Sequence, residues 1–165
     1  MKTVTTYINS ETQTTEHKWG VFIAETSITA LMTPPSLKPY ITNKSALSHG
    51  KQVLTDSGNK PKVDERDVQL VFGLKARSLA QFITRYRSFC EELKNGKIDL
   101  TVIVKEGSTY LKETYYLNYN SCRQYSEFNG RLARFVLNLT EPNPQNRKTA
   151  YSADIKILPD NIEIL

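Results

Sequence analysis

The feature that most restricts the fold is one amphipathic segment that carries its own start and stop signals. From Ser78 to Lys94, apolar side chains recur every three or four residues, the spacing of one helix face. Ser78 precedes Gln81 by three residues, the pattern of a capping box, and Asn95-Gly96 supplies a left-handed stop. The sequence therefore predicts an α-helix at about 78–94. Its apolar stripe, expected in the core, is Leu79, Phe82, Ile83, Tyr86, Phe89, Cys90 and Leu93.

Segments with a period of two, typical of β-strands, lie on both sides of this helix. Val68–Leu74 precedes it, and Ile98–Tyr119 follows as a predicted β-hairpin that turns at Lys105–Ser108. Arg131–Thr140 alternates again after a turn at Asn129-Gly130. These strands predict inward faces formed by Val68, Leu70, Phe72 and Leu74, and by Ala133, Phe135, Leu137 and Leu139.

The remaining segments have weaker patterns. Trp19–Ala24 and Ser27–Met32 are rich in β-branched and aromatic residues and are predicted as strands. Ser121–Asn129 is polar and is predicted as a loop. Tyr151–Leu158 and Asn161–Leu165, separated by Pro159-Asp160, are predicted as an edge strand and a tail.

A polar stretch of about thirty residues, from Ser36 to Asp67, has almost no sustained period. Connections of that length are uncommon in compact domains, which indicates either a short hidden strand or a functional arm. Val53 and Leu54 are the residues that would form such a strand. As an arm, the stretch would contact a neighbouring subunit.

Together these elements predict one α+β domain spanning residues 1–165. The expected fold is a mostly antiparallel β-sandwich or partly open β-barrel around a single amphipathic helix. A chain of this size buries about two-thirds of its unfolded surface, enough for one sizeable core. The domain would carry the arm at about 36–67 and a possible edge strand and tail at 151–165.

Composition and the cysteines exclude several classes of protein. The apolar fraction of 39% and charged fraction of 24% are those of a globular chain. No segment has the apolar length of a signal peptide or a membrane span, so a soluble chain made in the cytoplasm is expected. Cys90 and Cys122 are far apart in sequence and form no C-x-x-C pattern, so neither a disulfide framework nor a zinc site is expected.

The residues offer little for catalysis or for holding a metal or cofactor. His17 and His49 lie far apart in polar stretches. Gly-rich phosphate loops and the G-x-S-x-G elbow are absent from the sequence. The acidic group Asp64-Glu65 and Asp67 has the spacing of a cation site, but Arg66 within it favours a charged turn. We therefore predict no enzyme activity, no catalytic residues, no cofactor and no metal.

Nucleic-acid binding is the alternative function that the residues leave open. The net charge is +5, but the basic clusters at Lys75–Arg77 and Arg131–Arg134 are interrupted by apolar residues. Five tyrosines near Lys112 and Arg123 are the type of side chain on which single-stranded bases stack, although tyrosine is equally common in subunit interfaces. The alternative is a basic β-barrel that binds single-stranded nucleic acid. The tyrosines are Tyr110, Tyr115, Tyr116, Tyr119 and Tyr125.

Three segments in this order resemble tail proteins of long-tailed bacteriophages and prophages. They are Pro61–Phe72, the helix with Phe82, Tyr86 and Phe89 followed by Gly96 and the hairpin, and Phe135–Pro142. The resemblance spans about Trp19 to Pro142 and is strongest to the distal tail proteins at the junction of tail tube and baseplate, weaker to the tail-tube proteins. It depends on order and pattern, without a diagnostic motif.

The resemblance implies a non-enzymatic structural protein of the virion tail, assembled in the bacterial cytoplasm. It implies a homo-oligomeric, six-fold ring around a channel that stacks on other tail proteins, with no membrane partner. Longer family members carry a carbohydrate-binding or peripheral domain for which these 165 residues leave no room, so receptor contact is not expected. The arm from Pro39 to Lys62 would reach the adjacent subunit, and the hairpin from Ile98 to Tyr119 would line or border the ring.

Overall fold

A curved antiparallel sheet forms the body of the protein, and helices pack against it. The computed structural model describes residues 1–54, 60–126 and 128–152, with the backbone of 155–158 and 161–164. The helices are α1 (Thr15–Trp19), α2 (Glu25–Met32) and α3 (Leu79–Lys94), and Pro144–Asn146 forms a 3₁₀ turn. The strands are β1 (Lys2–Ile8), β2 (Val21–Ile23), β3 (Ile41–Asn43), β4 (Gln52–Leu54), β5 (Arg66–Lys75), β6 (Lys97–Glu106), β7 (Thr109–Ser126), β8 (Leu132–Glu141), β9 (Lys148–Ser152), β10 (Ile155–Leu158) and β11 (Asn161–Ile164).

The large sheet has the strand order β1-β6-β7-β8-β5-β2, with β9 paired to β7. Strand β7 is long enough to hold two successive partners, β9 opposite Tyr110–Thr114 and β8 opposite Asn118–Ser126. Its register against β8 shifts after Tyr119 and again after Cys122. Such β-bulges bend a strand and increase its twist, so β7 provides curvature in the middle of the sheet.

The curvature brings the two edge strands of the large sheet close together. Both β1 and β2 line one cleft of about 160 Å³, which α1 also borders. Thr15 on α1 links them, because its hydroxyl is 2.5 Å from the Thr6 hydroxyl and donates to the Val21 carbonyl oxygen at 2.9 Å. The sheet therefore approaches a barrel whose seam lies between β1 and β2.

One cluster of buried apolar side chains forms the core on the inner side of the curved sheet. Phe89 of α3 is fully buried, and its ring centroid lies 5.7 Å from Trp19, 6.4 Å from Phe72 and 5.8 Å from Phe135. Leu31 of α2 is also fully buried. Burial of each such side chain contributes about 1.5–3 kcal/mol to stability. The helices are thus held by the core and define the body to which the arm is attached.

The predicted fold class and the predicted helix at about 78–94 are both confirmed. The Ser78 side chain accepts a hydrogen bond from the Gln81 amide at 3.2 Å, and Gly96 has a φ of 78° at the helix end. The Gln81 side chain accepts from the Arg77 amide at 2.8 Å, one residue earlier than a capping box predicts. The predicted hairpin between β6 and β7 and the inward faces of β5 and β8 are also found.

The prediction of a strand at Ser27–Met32 is wrong, because these residues belong to α2. Pairing of β2 with β5 ends at Ile23, and the start of α2 then takes the place of a strand partner. The Val71 amide donates to the Ser27 hydroxyl at 2.6 Å, and the Ala24 amide donates to the Val71 carbonyl at 3.0 Å. Tertiary contacts therefore override the β-propensity of this segment, and α1 and α2 add to the single helix expected.

Other strand boundaries also differ from the predictions. The predicted strand Trp19–Ala24 is reduced to β2, because Trp19 ends α1, and β1 was not predicted at all. The predicted loop at Ser121–Asn129 is wrong, because β7 continues to Ser126 with polar side chains in cross-strand bonds, such as that from Asn138 to Ser121 at 3.0 Å. The predicted edge strand Tyr151–Leu158 contains the end of β9 and all of β10, and the predicted tail contains β11, which pairs with β10. Pro159-Asp160 lies outside the described residues.

Candidate interaction surface: the proline-interrupted arm

The residues considered for catalysis or metal binding do not converge in the described part of the chain. His17 is exposed on α1 and His49 is exposed in the arm. Arg66 turns to Glu141 at 2.6 Å, while Asp67 accepts a hydrogen bond from Thr140 at 2.6 Å. Within the described residues, no group of three or more histidine, cysteine, aspartate or glutamate side chains is placed to hold a metal ion.

The connection between α2 and β5 has a small sheet of its own and is called the arm here, defined by its described residues 36–54 and 60–64. Its base is an antiparallel bridge between Leu37 and Val63, with hydrogen bonds from the Lys38 amide to the Lys62 carbonyl at 2.8 Å and from the Asp64 amide to the Ser36 carbonyl at 2.9 Å. Farther out, β3 and β4 pair as a separate two-stranded sheet. The predicted hidden strand at Val53 and Leu54 is thus found in β4.

Two prolines interrupt the arm between its base and its outer hairpin. Extending the register of the Leu37–Val63 bridge by two residues places Pro39 opposite Pro61. Proline has no amide hydrogen to donate, so neither residue can donate to an extension of the bridge, and β3 and β4 pair separately in another register, with Ile41 opposite Leu54. The interruption borders a cleft of about 360 Å³ lined by Lys38, Pro39, Tyr40, Ile41, Leu54, Lys60, Pro61 and Lys62.

The arm carries most of the net charge of the protein. Between Ser36 and Asp64 there are five lysines and two acidic residues, a net charge of +3 compared with +5 for the whole chain. Apolar side chains accompany this charge, because Tyr40, Ile41, Val53 and Leu54 are 46–70% exposed. An exposed, basic and apolar hairpin has the composition of a surface that binds a partner.

Arg66 fixes the base of the arm to the body. Its guanidinium donates to the carbonyl oxygens of Ala30 at 3.2 Å, Leu31 at 2.8 Å and Thr33 at 2.7 Å, at the end of α2. The same side chain donates to Glu141 at 2.6 Å. Arg66, at the start of β5, thereby links the end of the arm to the end of α2, from which the arm begins. It also links both elements to β8.

Glu141 completes this anchor as a buried carboxylate. It is 1% exposed and also accepts two hydrogen bonds from Arg147, at 2.6 and 2.7 Å. Burial favours the neutral acid, but the hydrogen bonds from Arg147 and Arg66 outweigh it, so the pKa of Glu141 lies below its usual value. The Arg147 guanidinium in turn lies 5.0 Å from the ring centroid of Tyr115.

The second predicted surface, the hairpin from Ile98 to Tyr119, lies in the middle of the sheet. Strand β6 is paired with β1 and β7, and β7 with β8 and β9. Alternate residues such as Ile98, Leu100 and Leu117 are fully buried. The hairpin therefore offers one sheet face to a partner, rather than a free edge.

An exposed aromatic surface that the sequence did not predict lies beside α3. Three of the seven residues in the stripe expected in the core are exposed: Leu79 by 52%, Ile83 by 42% and Tyr86 by 36%. Tyr86 lies 6.0 Å from Tyr125, which is 6.2 Å from Phe128 between ring centroids. The loop predicted from Ser121 gives no reason to expect its aromatic residues next to the helix, whereas β7 places Tyr125 there.

The two cysteines lie on the elements that border this aromatic surface. Cys90 of α3 is half-buried and Cys122 of β7 is exposed, and both are reduced cysteines. Burial raises the pKa of the Cys90 thiol, and a hydrogen bond with Cys90 raises the pKa of Tyr86. Both groups are therefore neutral at physiological pH.

Comparison with known proteins places this fold beside a phage tail protein. The structure resembles the crystal structure of SPP1 Dit (gp 19.1), described as a paradigm of the hub adsorption apparatus in phages that infect Gram-positive bacteria, with a TM-score of 0.52 and 14% sequence identity. No family model and no curated protein sequence matches the chain. The expected resemblance to a distal tail protein is thus confirmed at the level of the fold.

The match covers 86% of this chain and 51% of SPP1 Dit, so the chain spans about half the length of that protein. At this identity the likeness defines an architecture and leaves assembly and partners to be tested. No helix in the described ranges is long and apolar enough to cross a membrane.

Proposed function

We propose that this chain is a non-enzymatic structural protein of a phage or prophage tail, forming a six-fold ring at the junction of tail tube and baseplate. The observation that carries the proposal is the fold shared with SPP1 Dit over 86% of the chain.

In this proposal the arm is the main contact between neighbouring subunits. A head-to-tail ring requires one surface of each subunit to fit a different surface of the next, and a projecting hairpin satisfies that requirement. Exposed strands can also pair with strands of another chain. The face of the β6–β7 hairpin would border the channel.

The oligomeric state tests this proposal. Light scattering and electron microscopy of the purified protein, over a range of concentrations and at low salt, should show rings. A chain that stays monomeric at high concentration and forms no rings in micrographs would contradict it. Oligonucleotide binding measured in the same buffers tests the nucleic-acid alternative, which requires binding that weakens steeply with added salt.

A further inference from the structure

We propose that the cleft between Pro39 and Pro61 binds an acidic segment of another protein, one that carries an aromatic or aliphatic side chain between its carboxylates. The inference depends on the proposed role of the arm in assembly and adds the chemistry of a partner. It also gives the arm a second function, because the cleft would accept a different protein while the remaining surface of the outer hairpin contacts the next subunit.

The lining of the cleft has two kinds of surface. Pro39, Tyr40, Ile41, Leu54 and Pro61 supply apolar walls, and Lys38, Lys60 and Lys62 supply ammonium groups around them. A volume of about 360 Å³ is within the usual range of ligand pockets, which start at roughly 300 Å³. This combination fits an apolar side chain flanked by carboxylates.

The position of the cleft gives it a defined shape. The Leu37–Val63 bridge fixes one end, and Arg66 fixes that bridge to the body through its bonds to Leu31, Thr33 and Glu141. Proline fixes the backbone φ angle, so Pro39 and Pro61 stiffen the two walls. A preformed cleft loses less conformational entropy on binding than an unstructured loop.

Charge argues for a different protein as the occupant. A second copy of this chain has a net charge of +5 and therefore brings no excess of carboxylates to the lysines that line the cleft. Several of its carboxylates, moreover, are already in ion pairs within their own chain. These are Glu11, Glu16, Glu25, Glu91 and Glu141.

Binding of a random copolymer of glutamate and tyrosine to the full-length protein tests the proposal. The expected result is saturable binding that weakens about tenfold or more in the double variant Lys38→Glu/Lys60→Glu and in Tyr40→Ala/Leu54→Ser. A matched control, Lys105→Glu/Lys148→Glu, makes the same change of charge at two exposed lysines outside the arm and should bind within about twofold of wild type.

Three results would overturn the proposal. Equal losses of copolymer binding in Lys38→Glu/Lys60→Glu and in Lys105→Glu/Lys148→Glu would show that binding depends on net charge alone. Equal binding of polyglutamate and the copolymer would remove the role of the apolar walls. Tighter binding of an oligothymidylate that competes with the copolymer would identify the ligand as nucleic acid.

The copolymer experiment and the ring experiment can fail independently of each other. Rings without copolymer binding would contradict this inference alone, whereas copolymer binding by a strict monomer would contradict the ring alone. Circular dichroism of each variant should match wild type, because the substituted side chains are exposed. The neutral variant Lys38→Gln/Lys60→Gln should show an intermediate loss.

Discussion

Strands of similar apolar content have buried apolar side chains in the body and exposed ones in the arm. In β8, Ala133, Phe135, Leu137 and Leu139 are at most 4% exposed, while Ile41 and Leu54 in the arm are 70% and 55% exposed. Burial of apolar surface is the main source of folding free energy. The body is therefore stabilised from within, whereas the arm keeps its apolar residues available for another chain.

The largest effect should come from a cavity in the body. Phe89→Ala removes the ring that contacts Trp19, Phe72 and Phe135, and should lower the free energy of unfolding by about 3–5 kcal/mol. Urea unfolding followed by tryptophan fluorescence measures it. Arg87→Ala on the exposed face of α3 is the control and should change stability little; a loss equal to that of Phe89→Ala would show that removal of the buried ring is not the cause.

The anchor between arm and body should be nearly as sensitive. Glu141→Gln keeps the shape of the side chain but leaves Arg66 and Arg147 without their shared carboxylate, at a cost of about 3 kcal/mol. Denaturant unfolding at neutral pH measures this change. Glu25→Gln, which breaks the exposed pair with Lys2, should have a much smaller effect, and equal losses would contradict a special role for the buried carboxylate.

Acid should weaken the same anchor in the wild-type protein. Because the pKa of Glu141 is lower in the folded state, its contribution is present above the unfolded value, about 4.3, and is lost as the pH falls through the folded pKa. Unfolding free energies measured between pH 7 and pH 3 should therefore fall less steeply for Glu141→Gln than for wild type. Parallel pH profiles would exclude Glu141 as the group responsible.

The sequence predicted the regions whose signals are local. Alternation in β5 and β8, the Ser78 cap and the Gly96 stop all lie within a few residues of the elements they define. The arm was predicted from its length, and its hidden strand from Val53 and Leu54.

What the sequence could not predict depends on distant residues. Glu141 meets Arg66 across 75 positions, and the cleft requires the register that pairs Leu37 with Val63. The segment at Ser27 becomes helical because its hydroxyl bonds to the backbone of Val71, 44 residues away. Strand β1 was missed because the inward position Thr6 is polar, with its hydroxyl satisfied by Thr15.

A smaller effect is expected next to the anchor, at Tyr115. Its hydroxyl donates to Glu113, and burial followed by this hydrogen bond raises the pKa of Tyr115. Tyr115→Phe should cost about 1 kcal/mol at neutral pH. Since the folded pKa is raised, the contribution of the hydroxyl is complete below about pH 10 and is lost above it, so the variant and wild type should converge in alkaline urea titrations. A constant difference up to pH 11 would contradict this assignment.

The smallest effect on stability, and the sharpest test of the comparison, is expected in the arm. Ile41 and Leu54 face each other across β3 and β4, whereas Val53 pairs with Thr42 and points to the opposite side. Ile41→Ser/Leu54→Ser should change the free energy of unfolding by less than about 0.5 kcal/mol, because exposed side chains lose little on truncation. The same variant should weaken binding of the glutamate–tyrosine copolymer, because Ile41 and Leu54 both line the cleft, with Val53→Ser as the control on the other face. If the double variant instead destabilises the monomer as strongly as Phe89→Ala, then these side chains belong to the core of the chain, and the distinction between an internally stabilised body and an outward-directed arm fails.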